Sequence, residues 1–216
     1  MLPAPYYDDG QITIYHADCR DILPHLEPGS VDLVLTDPPY GIGRDGMRAS
    51  TSSHGGRKPY DFLGWDRERP STELFREIFR VSKNQIIWGA NYFTQHLPPS
   101  MGWLFWDKGQ RIAGSDGELA FTSFERALRV ITLNRVELMI DGAVHPTQKP
   151  EKLMRWCIAH AGDAQTILDP FMGSGTTLRA AKDLGRKAIG IEIEERYCEI
   201  AVRRLQQAVL PLDIPA

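Results

Sequence analysis

The chain is predicted to be an α/β protein, an open Rossmann-like sheet with helices on both faces. Three observations point there. Short apolar runs lead to acids at Asp18, Asp37, Asp169 and Glu192, amphipathic segments of helical period separate these runs, and a glycine-rich turn at Gly173–Thr177 joins one run to a helix. The length of 216 residues suits a single domain over 1–216 with a real core.

Gln11–Asp18 alternates apolar and polar residues with β-branched side chains, a strand pattern, and Asp18 then caps a short helix that stops near Glu27-Pro28-Gly29. Val31–Thr36 is an apolar run that delivers Asp37-Pro38-Pro39-Tyr40 to the carboxyl end of a buried strand, where open α/β sheets place ligands. The two prolines fix φ, remove two N–H donors and leave a rigid corner with free carbonyls. Such a corner suits a planar group with an amino substituent: Asp37 and the Pro38 carbonyl accept its N–H bonds while Tyr40 stacks on its face. A plain Pro-rich turn is the competing reading.

Gly41–Gly64 is a long loop without periodicity, in which Arg44, Arg48, Arg57 and Lys58 face only Asp45 up to Tyr60. It is either an arm that grips phosphates or a solvated surface loop. Ser71-Thr72-Glu73 opens a helix carrying Leu74, Phe75, Ile78 and Phe79, and Gln85–Trp88 is the next strand. Trp103–Trp106 is another strand, ending on Asp107-Lys108, and a polar loop with Arg111 follows. Its aromatics, with Tyr92 and Phe93, suit a core more than a stacking surface. Glu118–Arg129 is either a strand followed by a helix or a strand alone, and Val130–Ile140 reads as extended.

His145–Pro150 introduces a helix over Glu151–Ala161, and Gln165–Leu168 is a strand running into Asp169-Pro170-Phe171-Met172-Gly173-Ser174-Gly175-Thr176-Thr177. A helix follows to Gly185, then a strand over Lys187–Ile193 and a last amphipathic helix from Glu194. Glu192 lies 23 residues after Asp169, near the interval of about 20 at which an acid meets ribose hydroxyls. The turn lacks the third glycine of GxGxxG, and no GK[ST] follows, so dinucleotide and P-loop readings lose ground. A ribose without a pyrophosphate fits better: an adenosyl cofactor whose amino-acid end offers an ammonium to Asp169 and a carboxylate to backbone N–H groups near Gly173. A tight βα turn that binds nothing is the bland alternative.

Composition narrows the class. A formal net charge of −3 offers no global basic field, so nucleic acid would have to be met by local patches. Cys19, Cys157 and Cys198 are far apart and no Cys/His spacing suggests zinc, so packing thiols in a reducing cytosol and no metal are expected. No run approaches about 18 apolar residues, and none resembles a signal peptide.

DPPYG, then HPTQKP, then DPFMGSGTT followed by GIEI, in that order, resemble the β group of DNA amino-methyltransferases, within the N4-cytosine/N6-adenine family. The resemblance spans about 11–204. It implies a circularly permuted S-adenosylmethionine-dependent sheet, with the catalytic half first and the cofactor half last. By matching motifs, Asp37, Pro38, Pro39 and Tyr40 would be catalytic, and Asp169, Phe171, Gly173, Ser174, Gly175, Thr176 and Glu192 would bind S-adenosylmethionine. Asp18 matches the acid on the adenosine side of the cofactor, Thr147 and Lys149 match the loop near its methionine end, and His145 is structural.

The resemblance further implies methylation of adenine N6, with cytosine N4 as the alternative. The regions 41–64 and 109–140 would be loops or small inserts facing double-stranded DNA, and Arg44, Arg48, Arg57, Lys58, Lys108 and Arg111 would contact it. A homodimer, a restriction or specificity partner, and bacterial or phage-encoded cytoplasmic action are the accompanying expectations. Methylation of RNA or of a protein amide, a silent DNA-binding module, and an NAD-dependent oxidoreductase are the rivals.

Overall fold

A computed structural model describes residues 1–43, 66–109, 115–134 and 148–207. Nine strands form one sheet: β1 (Tyr7–Asp8), β2 (Ile12–His16), β3 (Val31–Thr36), β4 (Ser82–Trp88), β5 (Trp103–Asp107), β6 (Gly117–Thr122), β7 (Arg129–Thr132), β8 (Thr166–Asp169) and β9 (Lys187–Glu192). Their order is β1-β2-β9-β8-β3-β4-β6-β5-β7. The central run from β2 to β4 is parallel throughout, and β6 pairs antiparallel with both β4 and β5.

Parallel strands are buried on both sides, and the alternation within them divides the core. Ile12, Ile14, Leu33, Leu35 and Ile86 face one layer, packed by α3 (Glu151–His160), α4 (Thr176–Asp183) and α5 (Glu195–Gln206). Val34, Ile87, Leu168 and Ile191 face the other, packed by α1 (Cys19–Ile22) and α2 (Thr72–Val81). The caps are those expected: the Asp18 carboxylate accepts from Arg20 N and the Ser71 hydroxyl from Leu74 N, each satisfying a helix-start donor.

The region 109–140, expected both to face DNA as a loop or insert and to carry strand from Glu118 and extended chain from Val130, follows the strand reading over its described strands. Its residues 117–122 are an internal strand that buries Ala120 and Phe121, not a loop or insert, because β6 fills the gap between β4 and β5. Residues 129–132 form the edge strand β7. Within the described residues no helix is long and apolar enough to cross a membrane, and no cluster of His, Cys, Asp and Glu could hold a metal ion. The three cysteines are buried and unpaired, and burial pushes the Cys19 and Cys198 thiols up to about 12, far from a reactive thiolate.

Candidate active site

Four neighbouring parallel strands, β2, β9, β8 and β3, bring four acids to one edge of the sheet. Glu192 and Asp169 are the last residues of β9 and β8, Asp37 follows β3 directly, and Asp18 lies just beyond β2. All four line a single cleft of about 570 Å³. The same cleft is walled by Pro39, Lys149, Phe171, Gly173, Ser174 and Thr176. Residues 112 positions apart in sequence, Asp37 and Lys149, thereby meet.

The cofactor half is built around the β8–α4 turn. Gly175 has φ 77° and precedes the first turn of α4, and a Cβ there would sit 2.7 Å from the Ala201 Cβ. Glycine therefore answers both a backbone and a packing demand. Asp169 Oδ1 accepts from the Thr36 hydroxyl at 2.8 Å and from Phe171 N at 3.2 Å. Glu192 accepts from Gly173 N at 3.0 Å and Glu194 N at 2.9 Å. Burial still outweighs these bonds, lifting Asp169 to about 6 and Glu192 to about 7. Two buried acids of raised pKa in a cleft are an acceptor set suited to an ammonium and to hydroxyls, which fits an adenosyl group with an amino-acid end. Arg204, which no motif marked, braces the turn by donating to Ser174 O at 2.8 Å and Thr176 Oγ1 at 3.1 Å.

The corner at Asp37 is more occupied than its sequence suggests. Asp37 Oδ1 accepts from the Tyr40 hydroxyl, and Oδ2 from the Lys149 ammonium. Lys149 Nζ also lies 3.1 Å from Glu118 Oε2, and Lys108 Nζ lies 2.6 Å from Glu118 Oε1. Lys108, Glu118, Lys149 and Asp37 thus alternate in sign along a mostly buried ladder. Burial pushes Asp37 up, opposed by the charge of Lys149. Burial would also lower Lys149, but Asp37 and Glu118 override it and hold the ammonium well above its ordinary range. In Glu118 the burial effect is outweighed by Lys149 and Lys108, which bring the carboxyl down to about 2.

Tyr40 stacks on Tyr92 with centroids 4.7 Å apart at 13°, so Tyr92 backs one of its faces. The ring lies so close to Gly89 that a Cβ there would be 2.1 Å from Tyr40 Cε1. Arg69 Nε donates to Tyr40 O at 3.0 Å and Asp66 accepts from Gly41 N at 2.8 Å, fixing the backbone that leaves the corner.

The structure therefore brings Asp18, Asp37, Pro39, Lys149, Asp169, Phe171, Gly173, Ser174, Thr176 and Glu192 to one cleft, with Pro38 buried beneath and Tyr40 against Asp37. Two placements differ from expectation. Lys149 lines the cleft, yet its ammonium is spent on Asp37 and Glu118. Lys108 is not offered to a phosphate: its side chain is 9% exposed and paired with Glu118. Arg44, Arg48, Arg57, Lys58, Arg111, His145 and Thr147 lie outside the described residues. Glu118 and Tyr92 were missed because their partners are distant in sequence.

Residues 83–203 match the model of the N6/N4 methyltransferase family described as DNA methylase. The DNA adenine methyltransferase YhdJ of Escherichia coli (strain K12) is 30% identical over 91% of this chain and 83% of its own. The type II methyltransferase M2.DpnII of Streptococcus pneumoniae is 28% identical over 95% of this chain and 94% of its own. Among solved structures, the M1.HpyAVI-SAM complex superposes with a TM-score of 0.60 at 25% identity, covering 90% of this chain and all of that one. With motif order, sheet and cleft in agreement with a family match over more than half its length, the chain belongs to the DNA methylase family.

Proposed function

We propose that the protein methylates the N6 amino group of adenine in double-stranded DNA, with S-adenosylmethionine as donor. The observation that carries this reading is that Asp37 and Asp169, at the ends of the paired strands β3 and β8, line one cleft. An amino group held at the first and a donor held at the second would be neighbours. YhdJ, by its name an adenine enzyme, supports adenine as the base.

S-adenosylmethionine, when bound, supplies an electrophilic methyl group on a sulfonium. Asp169 would hold its ammonium, Glu192 its ribose hydroxyls, and Asp18 its adenosine side, while Phe171, Gly173, Ser174 and Thr176 shape the wall. A target base turned out of the duplex would donate its N6 hydrogens to Asp37 and the Pro38 carbonyl, orienting the nitrogen lone pair toward the methyl group. Tyr40, backed by Tyr92, would offer its remaining face to the base. Acceleration comes from positioning and from a desolvated, preorganised corner, and no cysteine nucleophile is needed.

The catalytic half precedes the cofactor half in the chain, which supports the circular permutation belonging to this reading. Contact with DNA through Arg44, Arg48, Arg57, Lys58 and Arg111, a homodimer, a restriction or specificity partner and cytoplasmic action are further parts of it. Radiolabelled methyl transfer to duplex DNA, tRNA and protein side by side tests the substrate class: label in duplex DNA is expected, and label only in tRNA or protein would replace the reading. Light scattering in the presence of DNA tests the dimer, which a monomeric mass would exclude.

A further inference from the structure

We propose that Glu118 is a positioning residue that takes Lys149 away from Asp37, so that the target amino group can occupy the vacated oxygen. The inference rests on the methyl-transfer reading above. Both oxygens of Asp37 are already engaged, one by the Tyr40 hydroxyl and one by the Lys149 ammonium. A neutral amino group competes poorly with an ammonium for a carboxylate, because bonds to charged donors are much the stronger. Simply ejecting Lys149 would leave a buried charge without a partner. The corner as it stands is therefore closed to its substrate unless Lys149 has somewhere to go.

Glu118 supplies that place. Its Oε2 is buried and lies 3.1 Å from Lys149 Nζ, within ion-pair distance, but the ammonium is poorly aligned for a hydrogen bond to it. Lys149 Nζ donates to Asp37 Oδ2 and, at 3.4 Å, to the Tyr40 hydroxyl, while Glu118 Oε2 is its ion-pair partner without a well-aligned hydrogen bond. A buried acceptor left unfilled destabilises a static arrangement, and a small reorientation of the ammonium would fill it. The receiving carboxylate is itself held still: Glu118 lies on β6 opposite Trp106 of β5, and its other oxygen pairs with Lys108 Nζ at 2.6 Å. Lys149 can thus exchange one anion for another without ever losing a charge partner, and Asp37 is freed without losing the nearby cation.

The test is a double-mutant cycle on single-turnover methyl transfer to duplex DNA at saturating DNA and S-adenosylmethionine, using Glu118→Gln, Lys149→Met and the pair. Glu118→Gln is expected to slow transfer at least about tenfold, with S-adenosylmethionine affinity changed by less than about twofold. Because Glu118 acts through Lys149, the same substitution in the Lys149→Met background should change the rate by less than about twofold. A Glu118→Gln rate equal to wild type, or an equal loss in both backgrounds, overturns the proposal, since a merely structural glutamate would give the latter. Where a variant fails to fold or shows no transfer, Lys108→Gln decides. It removes the partner that holds Glu118 in place, so transfer should slow by at least about threefold with S-adenosylmethionine affinity changed by less than about twofold, and an unchanged or higher rate overturns the proposal. Absence of methyl transfer by the wild-type protein would instead remove the proposed function.

Discussion

Replacing Asp169 with Asn should stabilise the empty protein above pH 7 while damaging cofactor binding. Asp169 is 4% exposed, and burial lifts it from 3.8 to about 6. Its folded pKa lies above its unfolded one, so the folded state binds the proton more tightly. The resulting stability is complete below about pH 4 and is lost as pH rises through about 6. At 1.36 kcal/mol per unit, a rise of about two units is worth about 3 kcal/mol. Asn cannot ionise, keeps the Oδ1 that accepts from Thr36 and Phe171, and escapes this loss. For a chain of this size about 3 kcal/mol corresponds to a melting shift of about 6–12 °C. Thermal melts without cofactor at pH 3, pH 5 and pH 8 measure it: near-coincident curves are expected at pH 3, about half of the full shift at pH 5, and the full shift, with the higher melt for Asp169→Asn, at pH 8. Calorimetric titration should show S-adenosylmethionine affinity reduced at least about tenfold in the variant. A variant that melts at or below wild type at pH 8 would refute the idea that a buried, strained carboxylate is kept there for a ligand.

Gly89→Ala puts a Cβ where the Tyr40 ring lies, on a residue with φ 66°. The left-handed backbone alone should cost about 1–2 kcal/mol, and the displaced ring should slow methyl transfer by about tenfold or more while cofactor titrations stay unchanged. Unimpaired transfer would show that the Tyr40–Tyr92 stack is dispensable. Asp32 ties β3 to β8 and β4, with Oδ2 accepting from Gln165 N at 2.9 Å and Thr166 N at 3.0 Å, and Oδ1 accepting from Lys83 Nζ at 2.8 Å. The Lys83 bond and these amides hold its carboxyl well below the usual carboxylate range, so its stabilisation is present above about pH 4 and lost as pH falls further. Asp32→Ala should cost about 2–3 kcal/mol in denaturant unfolding at pH 7, and a loss under about 0.5 kcal/mol would contradict that tie.

The elements that build the cleft were legible because each combined a strand signal with punctuation. Val31–Thr36 before two prolines, and Thr166–Asp169 before paired glycines, fix both the element and the point where it ends. Pattern could not identify partners across the fold. Gly117–Thr122 mixes strand and helix formers, and its place in the sheet is decided by pairing with Ile86–Trp88 and Trp103–Asp107. Lys108 is expected to face DNA, yet that same β5–β6 pairing brings Glu118 to it. Motif places Lys149 near the cofactor, and the cleft agrees, but its ammonium is claimed by Asp37, just after β3, and by Glu118 on β6. Charges in a fold are sorted by tertiary neighbours, which local sequence does not encode.

The most direct measurement is mass spectrometry of nucleosides from duplex DNA incubated with S-adenosylmethionine and either the wild-type protein or Asp37→Ala. Expected is N6-methyladenine from the wild type and none from the variant, whose cofactor binding remains measurable by calorimetry. N4-methylcytosine in place of N6-methyladenine, or undiminished N6-methyladenine from Asp37→Ala, would contradict the assignment of Asp37 as the residue that orients an adenine amino group.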